Sequence, residues 1–261
     1  MTDWVLNLPL AWMALVIFGG TYLVAAGIYF VVTGLAVNDR ARAFKALSPG
    51  MLPPLGIIFG LLVGFMAVQV WGDSERAKVA VANEASALRA VVLLAASFPG
   101  EPEARLRALI NRHIEEAVNK EWPMMAHQRA TLTKRSEDLT EALKGALALT
   151  PVDDGQKIAQ REIVTALEHA LDARRQRIII SQSTVSSIKW AALMLQALCA
   201  LIAVAMVHSD NRLTCGIALT LFATGIALSL LLIAAYSRPF SSVGPALLQQ
   251  VIASESAVTP P

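Results

Sequence analysis

Four long stretches of this 261-residue chain contain no Asp, Glu, Lys or Arg: Ala11–Val37, Pro49–Gly72, Trp190–His208 and Leu213–Tyr236. Other scarcities narrow the chemistry. The two cysteines, Cys199 and Cys215, both fall inside those stretches, so no disulfide framework or zinc spacing can be built from them, and they read as apolar filler. None of the four histidines sits in a His-Glu-x-x-His run or follows a Glu by three positions, which removes the zinc-helix and di-iron bundle signatures. Gly-x-Ser-x-Gly and a phosphate-cradling glycine loop are also missing. No enzyme activity, metal or cofactor is therefore expected. His113 with Glu116 is the nearest acid–base pair, at i, i+3, and reads as a solvated pair on a helix surface.

What is present is apolar length. Hydrophobic residues make up 55% of the chain, with mean hydropathy +0.54. Soluble domains run about 45–50% apolar. Each uncharged stretch, at about 1.5 Å of rise per residue, can cross a hydrocarbon layer about 30 Å thick. The first lacks a basic lead-in and is too long for a secretory signal core, so it is expected to remain as a membrane helix. Charge is confined rather than scarce: 17 of 22 Lys+Arg and 16 of 20 Asp+Glu lie between Gly72 and Lys189. A block so close to neutral does not suit nucleic acid, whose phosphates need a basic face. The organisation expected is 1–72 for two spans, 73–189 for an extramembrane helical domain, 190–240 for two more spans, and 241–261 for a short tail. The tail segment GPALLQQVIA reads as an interfacial helix, and SESAVTPP as disorder.

Within the spans, Gly20, Gly27 and Gly34 recur every seventh position, and Gly56, Gly60 and Gly64 every fourth. Small residues so spaced are the usual helix-packing device in lipid. Phe59, Leu62 and Met66 occupy the opposite side of the second span. The spans hold no ionisable partner for a coupled ion, which disfavours proton- or sodium-driven transport. A passive pore remains open, because apolar rings can gate by dewetting. In the middle block, Leu106, Leu109, Ile110, Ile114 and Val118 share a helical face, as do Leu88, Val91, Val92 and Ala95. Nothing alternates with period two. Glu84, Arg89, Arg174, Arg175 and Arg238 read as charges at the membrane boundary, where they pair or hold lipid headgroups. Two readings of orientation compete. The short turns carry Arg40, Arg42, Lys45 and Arg212, which places them in the cytoplasm and the block outside; the basic residues at the ends of the block favour the reverse. The short-loop count is preferred.

The run FGLLVGFMAVQVWGDSERAKVAVANEASALR, the later NKEWPMMA, the RRQR before the third span and the SRPFSSV after the fourth occur in that order. Together they resemble the bestrophin-like domain family of bacterial membrane proteins, from the first span to Val243. Positions matching its pattern are Glu84, Arg89, Glu121, Trp122, Pro123, Arg174, Arg175, Arg238, Pro239 and Phe240. That family has no settled activity. Its name implies kinship with bestrophins, pentameric anion channels with four membrane helices per subunit and a cytoplasmic helical domain between the second and third. By that kinship the second helix lines a pore, with Phe59, Leu62 and Met66 as its neck. No compact acidic cluster like the bestrophin calcium clasp is found, and fold analogy alone does not establish conduction.

The expectation is an all-α integral membrane protein with four transmembrane helices and an inserted helical domain between helices two and three. It is expected in a bacterial inner membrane as a homo-oligomer, with the lipid bilayer and a small ion as partners and no nucleic acid. The function expected is a passive, anion-preferring channel. The alternative is a non-conducting membrane scaffold or envelope sensor acting through the helical domain.

Overall fold

A computed structural model describes residues 3–36, 44, 50, 52–132 and 136–256. The first interspan turn with Arg40, Arg42 and Lys45, the end of the first stretch at Val37, and residues 257–261 of the tail lie outside the described residues. Among those described there is no strand. Four helices are long and apolar enough to cross a membrane, as the uncharged stretches imply: α2 (Leu10–Leu35), α3 (Leu52–Ala95), α8 (Ser187–Val207) and α9 (Arg212–Tyr236). A short α1 (Asp3–Leu6) precedes them. The chain divides into two compact units, Met1–Trp71 with Thr184–Ser237, and Gly72–Ser183 with Arg238–Pro261. The single helix α3 supplies residues to both.

Unit 1 holds α1, α2, the first part of α3, α8 and α9. Pro53 and Pro54 fall in the first turn of α3, where the missing N–H groups have no intrahelical partner to lose. Asn211 caps α9, its side chain accepting from the N–H groups of Leu213 and Thr214. Helix α2 packs against α9 and α8. The core is apolar throughout, with Ile17, Ala25, Phe59, Met66, Leu193, Ala223 and Ala227 all buried. Polar side chains tie helices together: the Tyr22 and Thr224 hydroxyls lie 2.9 Å apart, and Gln196 Nε2 donates to the Leu55 carbonyl at 3.1 Å.

The glycine ridges do not serve packing inside this unit. A Cβ added at Gly20, Gly27, Gly34, Gly56, Gly60 or Gly64 would meet nothing within 4 Å. Close approach is made instead by alanines such as Ala25, Ala223 and Ala227, which keep a methyl to pack while still admitting a neighbouring backbone. The glycine spacing is real, but no side chain or backbone of the subunit closes on those positions.

Unit 2 contains the rest of α3, then α4 (Glu101–Glu116), a π-helical turn (Ala117–Glu121), α5 (Trp122–Ala126), α6 (Glu137–Leu147), α7 (Asp154–Ser181), α10 (Pro239–Ser242) and α11 (Ala246–Ser256). Gly100, at φ +97°, makes the turn into α4 in the left-handed region that other residues avoid, and Pro102 follows in the first helical turn. Ser136 caps α6 by accepting from the Leu139 N–H, and Asp153 caps α7 by accepting from the Gln156 N–H at 2.7 Å. Leu88, Ile110, Ile114, Leu139, Ile163 and Leu167 fill the core. The C-terminal segment is a correction. It belongs to unit 2 rather than forming a separate tail: Leu248 and Val251 of α11 are buried in that core, and the helix packs on α4. Its apolar side finds protein, where an interfacial helix would need lipid headgroups.

Candidate functional site

The sequence from Ala117 to Pro123 sets up the first functional side chain. Pro123 has no N–H for the carbonyl four residues back, and its ring crowds that carbonyl. The chain widens into a π turn, in which the Trp122 N–H reaches the Ala117 carbonyl. The added residue per turn rotates Glu121 inward, where it is 8% exposed. There it meets α7. Arg174 Nε donates to Glu121 Oε1 at 2.9 Å, and Arg177 Nη2 donates to Glu121 Oε2 at 2.8 Å.

Arg177 is the hub. It is fully buried, and its Nε and Nη2 grip both oxygens of Glu84, also fully buried, at 2.7 and 3.1 Å. The guanidinium lies over the Trp122 ring, 5.5 Å from its centroid. Trp122 in turn meets Phe240 edge-on and donates from Nε1 to the Val243 carbonyl at 3.1 Å. Two carboxylates and two guanidiniums balance, which makes their shared burial tolerable. Burial by itself would push the Glu84 carboxyl up; the Arg177 charge, with hydrogen bonds from His113 and Arg177, outweighs it and holds the group below its ordinary value.

His113 corrects the sequence reading outright. It does not form a surface pair with Glu116 but is 1% exposed, between Glu84 and Ser136. Its Nε2 lies 3.0 Å from Glu84 Oε1, and its Nδ1 lies 3.1 Å from Ser136 Oγ. A carboxylate can only accept, so Nε2 carries the proton and donates. Nδ1 and the Ser136 hydroxyl share the second hydrogen bond of the ring, and the hydroxyl oxygen also accepts the Leu139 N–H. The Ser–His–Glu order resembles a nucleophile relay. However, Ser136 is buried, and its oxygen is already engaged as the cap of α6. What the arrangement does is lock α3, α4, α6 and α7 to one another through polar contacts.

The motif positions therefore divide. Glu84, Glu121, Trp122, Arg174 and Phe240 converge on this centre, although Glu84 and Phe240 lie far apart in sequence. Arg238 and Pro239 are buried in unit 2 as well. Arg89, Pro123 and Arg175 are exposed. Glu84, Arg174 and Arg238 are thus not headgroup anchors, since a buried charge cannot also reach solvent or lipid. Sequence reasoning misplaced Arg177, which reads with Arg174 and Arg175 as a boundary charge, and His113, which reads as a surface residue, and it missed Ser136. The available signal was their register: His113 lies on the stripe of Leu106, Leu109 and Ile110, and Arg177 on that of Ala170 and Ala173.

In unit 1 the neck residues expected on α3 turn inward. Phe59 and Met66 are buried in the bundle and Leu62 is half-buried, in the same core as Leu193 and Ala197 of α8, the helix whose Gln196 bonds the Leu55 carbonyl of α3. The outward side carries Ile57, Leu61, Phe65 and Val68, all more than half exposed, interleaved with Gly60 and Gly64.

No curated protein and no solved structure matches this chain. A family profile described as a Bestrophin-like domain matches residues 19–243. That range begins within α2, takes in the other three apolar helices and the whole polar centre, and on it the chain belongs to the Bestrophin-like domain family.

Proposed function

We propose that this multi-pass membrane protein assembles with copies of itself into a passive pore for small ions, with a preference for anions. The observation that carries the reading is the outward stripe of α3. Leu61, Phe65 and Val68 stand exposed at i, i+4, i+7 beside glycines that no subunit contact occupies. Side chains that line a shared axis must be exposed on the isolated subunit, so these residues, and not Phe59 or Met66, are the pore candidates. An apolar lining suits passive conduction controlled by wetting. The anion preference rests on the kinship that the family name carries.

In liposomes of the purified oligomer, chloride flux is expected and Phe65→Ala changes it. Phe59→Ala instead lowers thermal stability with smaller change in flux per folded oligomer. Folded oligomers that pass no ion would overturn the reading.

The second reading is a scaffold or envelope sensor acting through unit 2. It is favoured by an open groove of about 590 Å³ between α3 and α7, walled by Asn83, Ser86, His169 and Asp172 over an alanine floor.

A further inference from the structure

Unit 1 contains a cleft of about 400 Å³ among α2, α8 and α9, floored and walled by Ile17, Gly20, Val24, Ala197, Leu201 and Leu230. That volume lies within the range of about 300–1,000 Å³ in which small-molecule sites fall. Its chemistry is one-sided. Thr21 is the lone hydroxyl on the wall, and that hydroxyl already donates to the Ile17 carbonyl at 2.7 Å, so the cleft asks for no hydrogen bond. No charged side chain lines it.

We propose that this cleft is a binding site for one acyl chain of a membrane lipid. The three long helices that form it are each apolar enough to cross a bilayer, so the medium at its mouth is hydrocarbon. An apolar void does not hold water, and its walls forfeit dispersion contacts while it is empty. In lipid, where association is driven by packing and not by exclusion of water, filling such a void is the available gain. A neighbouring helix, about 10 Å across, can bridge the mouth but not enter. A flexible alkyl chain can. The space beside Gly20 is open, since a Cβ there would meet nothing within 4 Å, so a large side chain at this position would project into the cleft. The cleft reaches Val5 of α1, flanked in sequence by Trp4, which is 59% exposed. Exposed indoles mark the level of lipid headgroups, which places the polar end of the bound lipid there. The site stands independently of ion conduction.

The test uses the full-length protein in phosphatidylcholine vesicles containing a trace of phospholipid with a diazirine on its acyl chain. After photolysis, adducts are mapped by mass spectrometry. Labelling concentrated on the cleft walls, above other lipid-facing positions such as Phe30 and Leu221, is the result expected. Gly20→Leu should reduce the cleft adducts several-fold, and Gly27→Leu, at an open glycine outside the cleft, should leave them unchanged. Uniform labelling of every exposed face would overturn the proposal, as would undiminished cleft labelling in Gly20→Leu. So would efficient cross-linking of Gly20→Cys between two copies, which would show the cleft covered by protein. If Gly20→Leu fails to fold, the adduct map of the unaltered protein decides.

Discussion

Glu84 and Arg177 show why a buried charge is informative. Each is fully desolvated, and each is tolerated because the other supplies both charge and hydrogen bonds. Removing one partner is expected to cost far more than the pair contributes. Glu84→Ala should lower the stability of unit 2 by about 3–5 kcal/mol, since Arg177 would keep its charge with only Glu121 to meet it. Denaturant titration followed by Trp122 fluorescence measures this, and a loss below about 1 kcal/mol, the scale of an exposed pair, would contradict it. The acid limb of the stability curve carries the same information. The folded Glu84 carboxyl sits below its ordinary value, so its contribution is complete above that value, about 4.3 for a free Glu, and is lost as pH falls through the lower folded one. In Glu84→Ala this component of the acid limb disappears.

The elements themselves were legible because their signals are local. An uncharged run of sufficient length identifies a membrane helix without any knowledge of its neighbours, and the 3.6-residue period of α4 survives in isolation. The polar centre was not legible, since it is assembled from α3, the π turn, α7 and the cap of α6. Glu84 and Arg177 are 93 positions apart. In a block where charge is common, a paired carboxylate looks like a solvated one. The glycines misled for a related reason: spacing tells which residues share a face, but not whether that face meets protein. Helix α10 was equally hidden, because Phe240 and Val243 gain their meaning only against Trp122. Trp122→Phe keeps the ring contact with Phe240 and removes the Nε1 donor to the Val243 carbonyl, a bond worth about 1 kcal/mol. Amide exchange in residues 239–252 should then quicken several-fold, with α2 and α9 unaffected. Unchanged exchange there would mean that apolar burial of Leu248 and Val251 alone holds the segment.

At the scale of the whole molecule, the structure alters the balance of charges that bears on orientation. Arg174 and Arg177 are spent in ion pairs within unit 2, so they cannot act as free basic flanks beside the third span. A domain of this length also translocates largely regardless of its charge, and short loops weigh most. The short loop between the last two spans keeps Arg212, which is exposed. Unit 2 is therefore expected on the non-cytoplasmic side. The probe must be chosen from the structure, not from sequence position: Ser136, in the middle of the block, is buried, whereas Val152 is 85% exposed between α6 and α7. In a background lacking Cys199 and Cys215, Val152→Cys should react with a membrane-impermeant maleimide added to intact cells. Labelling only after the cells are opened would put unit 2 in the cytoplasm, show that the basic residues of the long block outweigh the turns, and bring the topology into line with that of bestrophins.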